Sequence, residues 1–476
     1  MQFVDYAVLV AYFCALLFIG YRGNKKHTGA EDYYVGGRSQ GALSLMALWM
    51  SSWVGGAAIM GSAEKSFSMG ITFLWYPLSM FCGFIIFGLT FAGRIKRLGD
   101  KYSHITYPDL IEQRYDSRTR IVSTVTTILA YIGYTASQLL GAAHIINSIT
   151  GLGLGLAFVV ATSVTILYTS VGGFFAVERT DRFQALLMIL GLTVVAVPLT
   201  LNDLGGFSRL TTELPDSYFQ MGTWGWGTIA AMFISMVLTF FTSMDGYTRC
   251  YAAKSERSAR NGTLLAAFFV LVVSGSICFL GMSSKVLFPN AAGGTTALVT
   301  LIIKLFPVGL KGLILVAILS AIMSTADTCI LCASANLTRD IYHRYINPNA
   351  PQKRILRLSM VSSFVVGITG ALIGWYSKDI MALLIMTFTV NSAGLFVPTV
   401  GVFLWKWASA RAAFWSMTLS LVVVVAWYVG QALFPLNPLL AVDPVWPGLL
   451  MSVGVFFTLA FKEHRFAMNA AVSNLP

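Results

Sequence analysis

Ser324, Thr325, Asp327 and Thr328 put three hydroxyls and a carboxylate into five positions of a long apolar run, Ser320-Ala321-Ile322-Met323-Ser324-Thr325-Ala326-Asp327-Thr328. An unpaired carboxylate in hydrocarbon costs several kcal/mol, so Asp327 requires a protein interior and a partner. Read as helix, Ala321, Ser324, Thr325 and Thr328 share one face at i, i+3, i+4, i+7. A face of small residues and oxygens suits a hard cation, which takes oxygen ligands. Two readings follow. Either the face holds Na⁺, or the hydroxyls bond back to carbonyls of the preceding turn in a tightly packed membrane helix.

Two other apolar segments are interrupted by chemistry. Ser51-Ser52-Trp53-Val54-Gly55-Gly56-Ala57 puts a glycine pair in the middle of one, and Thr242-Ser243-Met244-Asp245-Gly246 puts a glycine beside an acid in another. Unwound turns free backbone groups that only a ligand, an ion or protein can satisfy. A break in one helix alone reads equally as a kink or a close crossing; breaks in corresponding positions of two halves point to a transporter site near the bilayer midplane. Asp245 either meets an amine of a substrate or bonds Arg249 one turn on, and Gln138 and Asn391 either line the cavity or bridge helices. His144 is expected near the outer membrane edge.

Enzyme signatures are missing: there are five histidines, no His-Glu-x-x-His motif and no nucleophile beside a base. No Walker-type phosphate loop is present, so ATP is not the expected energy source. Cys329-Ile330-Leu331-Cys332 has redox spacing, yet all six cysteines lie in or beside apolar segments and read as packing residues.

The elements that must position these residues are membrane helices. Of 476 residues, 56% are hydrophobic and 11% charged, the composition of a polytopic membrane protein. Apolar runs give thirteen candidate spans: 4–22, 41–68, 70–94, 120–149, 151–173, 179–201, 226–252, 259–286, 309–342, 355–377, 380–405, 411–434 and 445–462. The first is read as a retained helix, not a signal peptide. The net charge of +12 comes from basic residues scattered through short loops, so the expected partners are a lipid bilayer, a small solute and Na⁺, not nucleic acid. With the N-terminus outside and the C-terminus in the cytoplasm, only Lys65, Arg209, Lys285, Lys304, Lys311 and Lys378 of the 32 basic residues fall outside. Residues 106–112 read as a capped surface helix, and the outer loops 202–225 and 287–308 as carriers of lid helices. No soluble kinase, nucleotide-binding or sensor domain is evident between or after the spans, which favours a transporter working as a monomer over a solute sensor.

The chain resembles the sodium:solute symporter family. The likeness lies in Tyr34-Val35-Gly36-Gly37-Arg38, Trp53-Val54-Gly55-Gly56 through Gly61-Ser62-Ala63-Glu64, and Tyr168-Thr169-Ser170-Val171-Gly172-Gly173 with Thr180-Asp181-Arg182-Phe183-Gln184. It continues in Arg249 with Ala252-Ala253-Lys254, and in Ser324-Thr325-Ala326-Asp327 leading to Leu337-Thr338-Arg339-Asp340-Ile341-Tyr342. The resemblance implies an all-α, LeuT-type five-plus-five inverted repeat with broken first and sixth core helices. Its parts would be an extra helix and loop at 4–40, repeats at 41–201 and 226–405, and two further helices with a short tail at 406–476. It also implies a principal sodium site from the carbonyls of Ser51, Val54 and Ala321 and the hydroxyls of Ser324 and Thr325. A second site near the cytoplasm falls on Asp181, Asp327 and Thr328 with Ser324; the two acids either bind Na⁺ or share a proton. For Asp181 the plainer alternative is an ion pair with Arg182 or Arg179.

The polar side chains of sugar-carrying members are absent, their places taken by Ala58 and Pro77. The Trp53 region is most like choline-type members, where a ring faces a quaternary ammonium. Their second tryptophan falls near Ser243, leaving Tyr247, Tyr134 or Trp75 to complete a cage. The implied substrate residues are Trp53, Gly55, Gly56, Gln138, Asp245, Tyr247 and Asn391. The implied activity is Na⁺-coupled import of an amino acid, an amine or a small carboxylate across the cytoplasmic membrane, with H⁺ coupling as the alternative.

Overall fold

A computed structural model of the chain describes residues 2–24, 30–290, 294–377, 380–434 and 436–473. Lys25, Lys26 and Lys378, counted among the loop charges, lie outside the described residues. Ten helices among the described residues are long and apolar enough to cross a membrane. The other expected spans are also helical: α1 (Phe3–Asn24), the short α2 (Ala42–Trp53) with α3 (Ser62–Met69), and the long helix Ser117–Thr150. Among the described residues the only extended pairing is an isolated bridge between Gln40 and Ala253.

After α3 the chain turns into α4 (Trp75–Phe87), which continues through Gly88–Ala92 and Gly93–Tyr102. The expected surface helix is α5 (Tyr107–Arg114). The Asp109 carboxylate reaches back to the amide of Thr106 at 3.0 Å, while the Thr106 hydroxyl donates to Asp340 at 2.9 Å. Next come α6 (Ser117–Thr150), capped by Asp116 on the amide of Thr119, and α7 (Leu154–Met188). The expected loop between spans 151–173 and 179–201 is absent. The chain instead reverses at Gly173, whose φ of 54° and ψ of −159° suit a residue without Cβ, so no connecting residues are needed.

The second broken span consists of α8 (Trp226–Phe240) and α9 (Met244–Ala252). It is followed by α10 (Glu256–Leu287), α11 (Gly294–Leu305), α12 (Leu310–Ala335), α13 (Gln352–Tyr376), α14 (Ile380–Leu404), α15 (Ala410–Leu433) and α16 (Val445–Ser473). The expected lid segments hold helices, Ser208–Glu213 in one and α11 in the other. All six cysteines are free.

Burial ranks these helices. In the membrane-length helix containing α12, 94% of the most apolar stretch is buried, against 28% for α16. α12 packs on α1, α2, α6, α7 and α13, whereas α15 and α16 pack mainly on each other and on α14. A hydroxyl-rich helix can sit at the centre because its polar groups meet protein and not lipid. α1 is pinned to the start of α12 by Asp5, which accepts from the Gly309 amide at 2.8 Å and lies 3.8 Å from Lys311.

One ion network ties the helix ends together. Arg120, almost fully buried, pairs with Asp109 at 2.7 Å and with Glu112 and Asp340. Burial alone would raise the Asp109 carboxyl, but Arg120, Arg339 and the amides of Ile105 and Thr106 hold it below the usual carboxylate range. Removing one member of such a cluster leaves buried charge uncompensated. Arg120→Gln is expected to cost about 3–5 kcal/mol, read as a lowered unfolding transition of the purified protein.

Candidate functional site

The helix α2 stops where the glycine pair follows it. Val54 (φ −95°, ψ 59°) leaves the helix, and residues 57–61 form a wide turn before α3. The carbonyl of Ser51 has no amide four residues on to receive, because position 55 lies beyond the break. It receives two hydroxyls from α12 instead: Ser324 Oγ at 3.0 Å and Thr325 Oγ1 at 2.8 Å. The same hydroxyls lie 3.0 and 3.1 Å from the carbonyl of Ala321. Four oxygens, Ser51 O, Ala321 O, Ser324 Oγ and Thr325 Oγ1, therefore converge in a fully buried place. Each hydroxyl has one proton and two acceptors, so the set has more lone pairs than protons. That is the donor chemistry of a hard-cation site. Both readings of the α12 face are thus visible at once: the hydroxyls bond back along their helix and also across to α2. Val54 is buried at the break beside this cluster.

The freed amide of Gly56 is taken by Gln138 on α6, at 2.6 Å. Gly55 is the point of closest approach, since a Cβ there would lie 2.5 Å from Thr325 Oγ1 and 2.6 Å from Gln138 Oε1.

The second break faces the first. α8 ends at Phe240, the chain passes through extended Ser243 (φ −70°, ψ 117°), and α9 begins at Met244. Trp53, the last residue of α2, stacks on Phe240 with ring centroids 3.8 Å apart and planes 15° from parallel, and lies 6.1 Å from Phe388 of α14. Its indole nitrogen donates to the Asp245 carboxylate at 3.0 Å. Tyr131 of α6 donates to the other carboxylate oxygen and accepts from the Asp245 amide at 3.0 Å. The Asp245 carboxylate thus has two neutral donors, and the expected bond to Arg249 goes to its backbone carbonyl, at 3.1 Å. Asn391 bridges to Thr242 in the break at 3.1 Å, and its Oδ1 has no hydrogen-bond partner among the described residues.

Four residues of the expected set stand apart. Tyr247 lies two positions from Asp245, on the opposite side of α9, where its ring meets Phe87 and Tyr107. Thr328 bonds Ser52 at 3.2 Å and Arg249 at 2.9 Å rather than either acid. Asp327 has both oxygens engaged by Tyr168 and Thr169 of α7. Asp181 is fully buried and neither oxygen has a hydrogen-bond partner among the described residues; Arg182 pairs with Glu178 instead. Tyr131 and Ser52 were not anticipated. Tyr131 is seven residues before Gln138, two helical turns away on the same face, which is the signal that could have found it.

Residues 33–420 match the family model described as the sodium:solute symporter family, and the chain belongs to that family. It is 27% identical to the sodium/proline symporter 2 of Staphylococcus saprophyticus, over 94% of this chain and 91% of the relative. It is 26% identical to a sodium/proline symporter of Staphylococcus aureus, over 96% and 92%. Among solved structures it is similar to a Na⁺-coupled sialic acid symporter in a substrate-bound outward-open state, with a TM-score of 0.82, 22% identity and coverage of 96% and 97%. A nucleobase-cation-symport-1 family transporter in a closed conformation matches with a TM-score of 0.58, 16% identity and coverage of 90% and 95%. The chain is therefore a multi-pass membrane transporter with the LeuT-type helical architecture. Its coupling ion is Na⁺ and its cargo a small organic solute; it is not an enzyme.

The close approach at Gly55 gives a geometric test. Gly55→Ala must push Thr325 and Gln138 away from the break, and overpacking of this kind costs about 1–3 kcal/mol. A lowered thermal transition is expected, while Gly153→Ala, with open space around it, leaves the transition unchanged.

Proposed function

We propose that Na⁺ binds among Ser51, Val54, Ala321, Ser324 and Thr325 and thereby completes a solute site between the two broken helices. The observation that carries this is the convergence of two carbonyls and two hydroxyls from α2 and α12. A cation there ties the broken helix to its partner, so Na⁺ and solute each raise the other's affinity by the same factor. Opening toward the cytoplasm separates α12 from α2 and releases the ion. The membrane potential adds about 2.3 kcal/mol per charge per 100 mV, enough for the cycle to concentrate its solute.

The solute site is assigned to Trp53, Gly55, Gly56, Gln138, Asp245 and Asn391, with Tyr247 behind them in the aromatic packing. Relatives that carry proline and sialic acid support an organic solute with a charged group. Asp245, held only by neutral donors, is the carboxylate placed to meet an amine; the proposed solutes are amino acids and amines ahead of simple carboxylates. Asp181 is proposed as the acid of the cation path, because it has acceptor capacity left, and Asp327 as the acid fixed to α7. The charge distribution supports an outside N-terminus, a cytoplasmic C-terminus and a cytoplasmic-membrane location. A monomer with repeats at 41–201 and 226–405 is the proposed working unit.

Ser324→Ala combined with Thr325→Ala is expected to reduce Na⁺-stimulated uptake in proteoliposomes to background; uptake with ordinary Na⁺ dependence would show that the ion binds elsewhere. The solute itself is found by a thermal-shift screen of small solutes with and without Na⁺, in which amine-bearing solutes stabilise the protein only with Na⁺. Binding without any transport would point to a sensor.

A further inference from the structure

Arg249 is 3% exposed, yet among the described residues its guanidinium is in no ion pair. A buried charge needs compensation, and here its hydrogen bonds all go to neutral oxygens on three helices. Nε donates to the carbonyl of Leu48 at 2.9 Å and Nη1 to the carbonyl of Asp245 at 3.1 Å. Nη2 donates to the hydroxyl of Ser52 and, at 2.9 Å, to that of Thr328. One side chain therefore joins both broken helices, α2 and α9, to α12, which also carries the proposed sodium ligands.

Arg249 lies on one particular side of the site. It is in the last turn of α9, whose end is bonded to Gln40 through the Ala252 carbonyl and to Lys96 through the Tyr251 carbonyl, on the side of the basic loops. Beyond it is a cavity of about 20 Å³, large enough for a single water, lined among others by Tyr34, Val177, Leu331 and Cys332. Arg249 itself lines this cavity, together with Leu48 and Thr328, two of the residues that accept from it. The bonds are strong together but all to uncharged groups, so each is replaceable. An acceptor of higher affinity is close: Asp181, buried and without a hydrogen-bond partner among the described residues, sits one helical turn past Val177 on α7.

We propose that Arg249 is a positioning residue for transport: a tethered cation that latches α2, α9 and α12 together and closes the site on the cytoplasmic side. This rests on the transport reading and on the orientation given above. Opening requires the guanidinium to leave Ser52 and Thr328, and Asp181 is the anion that can receive it. A side chain that merely packs would not control access to the cavity behind it.

Cys332, on the cavity wall, is a built-in reporter. The test uses the full chain with the other five cysteines replaced by serine, in inside-out vesicles with Na⁺ and a neutral thiol reagent, so that loss of charge at 249 does not itself alter local reagent concentration. Na⁺-dependent uptake is checked first in the unaltered protein, where its absence would fail the transport reading, and then in this parent, with any replaced cysteine that uptake requires restored. With a transporting parent, Arg249→Gln is expected to speed Cys332 labelling at least about tenfold, as expected when several bonds to a charged group are lost from one of two states. Arg249→Lys falls between, because an ammonium cannot reach all four acceptors. Ser52→Ala removes one acceptor and leaves the charge, so it gives a smaller acceleration even if Arg249→Gln fails to fold. Labelling of folded variants within about twofold of the parent would overturn the proposal.

Discussion

The structure depends on one carbonyl. Ser51 lies in the last turn of α2, ahead of the glycine pair, and the two hydroxyls that donate to its carbonyl come from α12, the most enclosed of the described membrane-length helices. An unwound turn in a membrane protein persists only if its freed groups are satisfied by protein or ligand. Here the amide side of the break is closed by Gln138 and the carbonyl side by Ser324 and Thr325. Lose the α12 hydroxyls and the carbonyl at the break has no donor and no ion site to organise it. Lose the break, and those hydroxyls have only their own helix to bond.

Around that point, three buried acids are treated in three ways. Asp245 is held by a phenol and an indole, and Asp327 by a phenol and a hydroxyl, while Asp181 has no hydrogen-bond partner among the described residues. The one buried arginine nearby, Arg249, bonds only neutral oxygens. Among the described residues Arg249 and Asp181 share no hydrogen bond, which leaves charge available for an ion and for movement. The contrast with Arg120 is direct, for there the guanidinium is surrounded by three carboxylates and fixes the helix ends.

Local patterns were legible in the sequence. The hydroxyl face of α12, the break after Trp53, the helices within the two outer loops and the capped helix at α5 all follow from residue types at short spacings; the second interruption is present but lies at 241–243, ahead of Gly246, which is inside α9. What was not legible is register between helices far apart in the chain. Thr328 reads as a cation ligand until Arg249 reaches it from 79 positions away. Tyr247 reads as part of an aromatic cage until α9 turns it toward Tyr107. The reversal at Gly173 was missed because a turn without connecting residues leaves no polar loop to mark it. Tyr131 escaped notice since a tyrosine in an apolar helix carries no sign of the carboxylate that it will meet.

The central claim is that ion and solute are coupled through the break in α2, and linkage makes it measurable. Once the solute is known, its dissociation constant is measured at a series of Na⁺ concentrations, and that of Na⁺ at a series of solute concentrations, on the same purified protein. The account predicts that saturating Na⁺ tightens solute binding by the factor by which saturating solute tightens Na⁺ binding, and that Ser324→Ala with Thr325→Ala brings both factors to one. Solute affinity independent of Na⁺ in the unaltered protein, or a coupling factor that survives in the double variant, would contradict it.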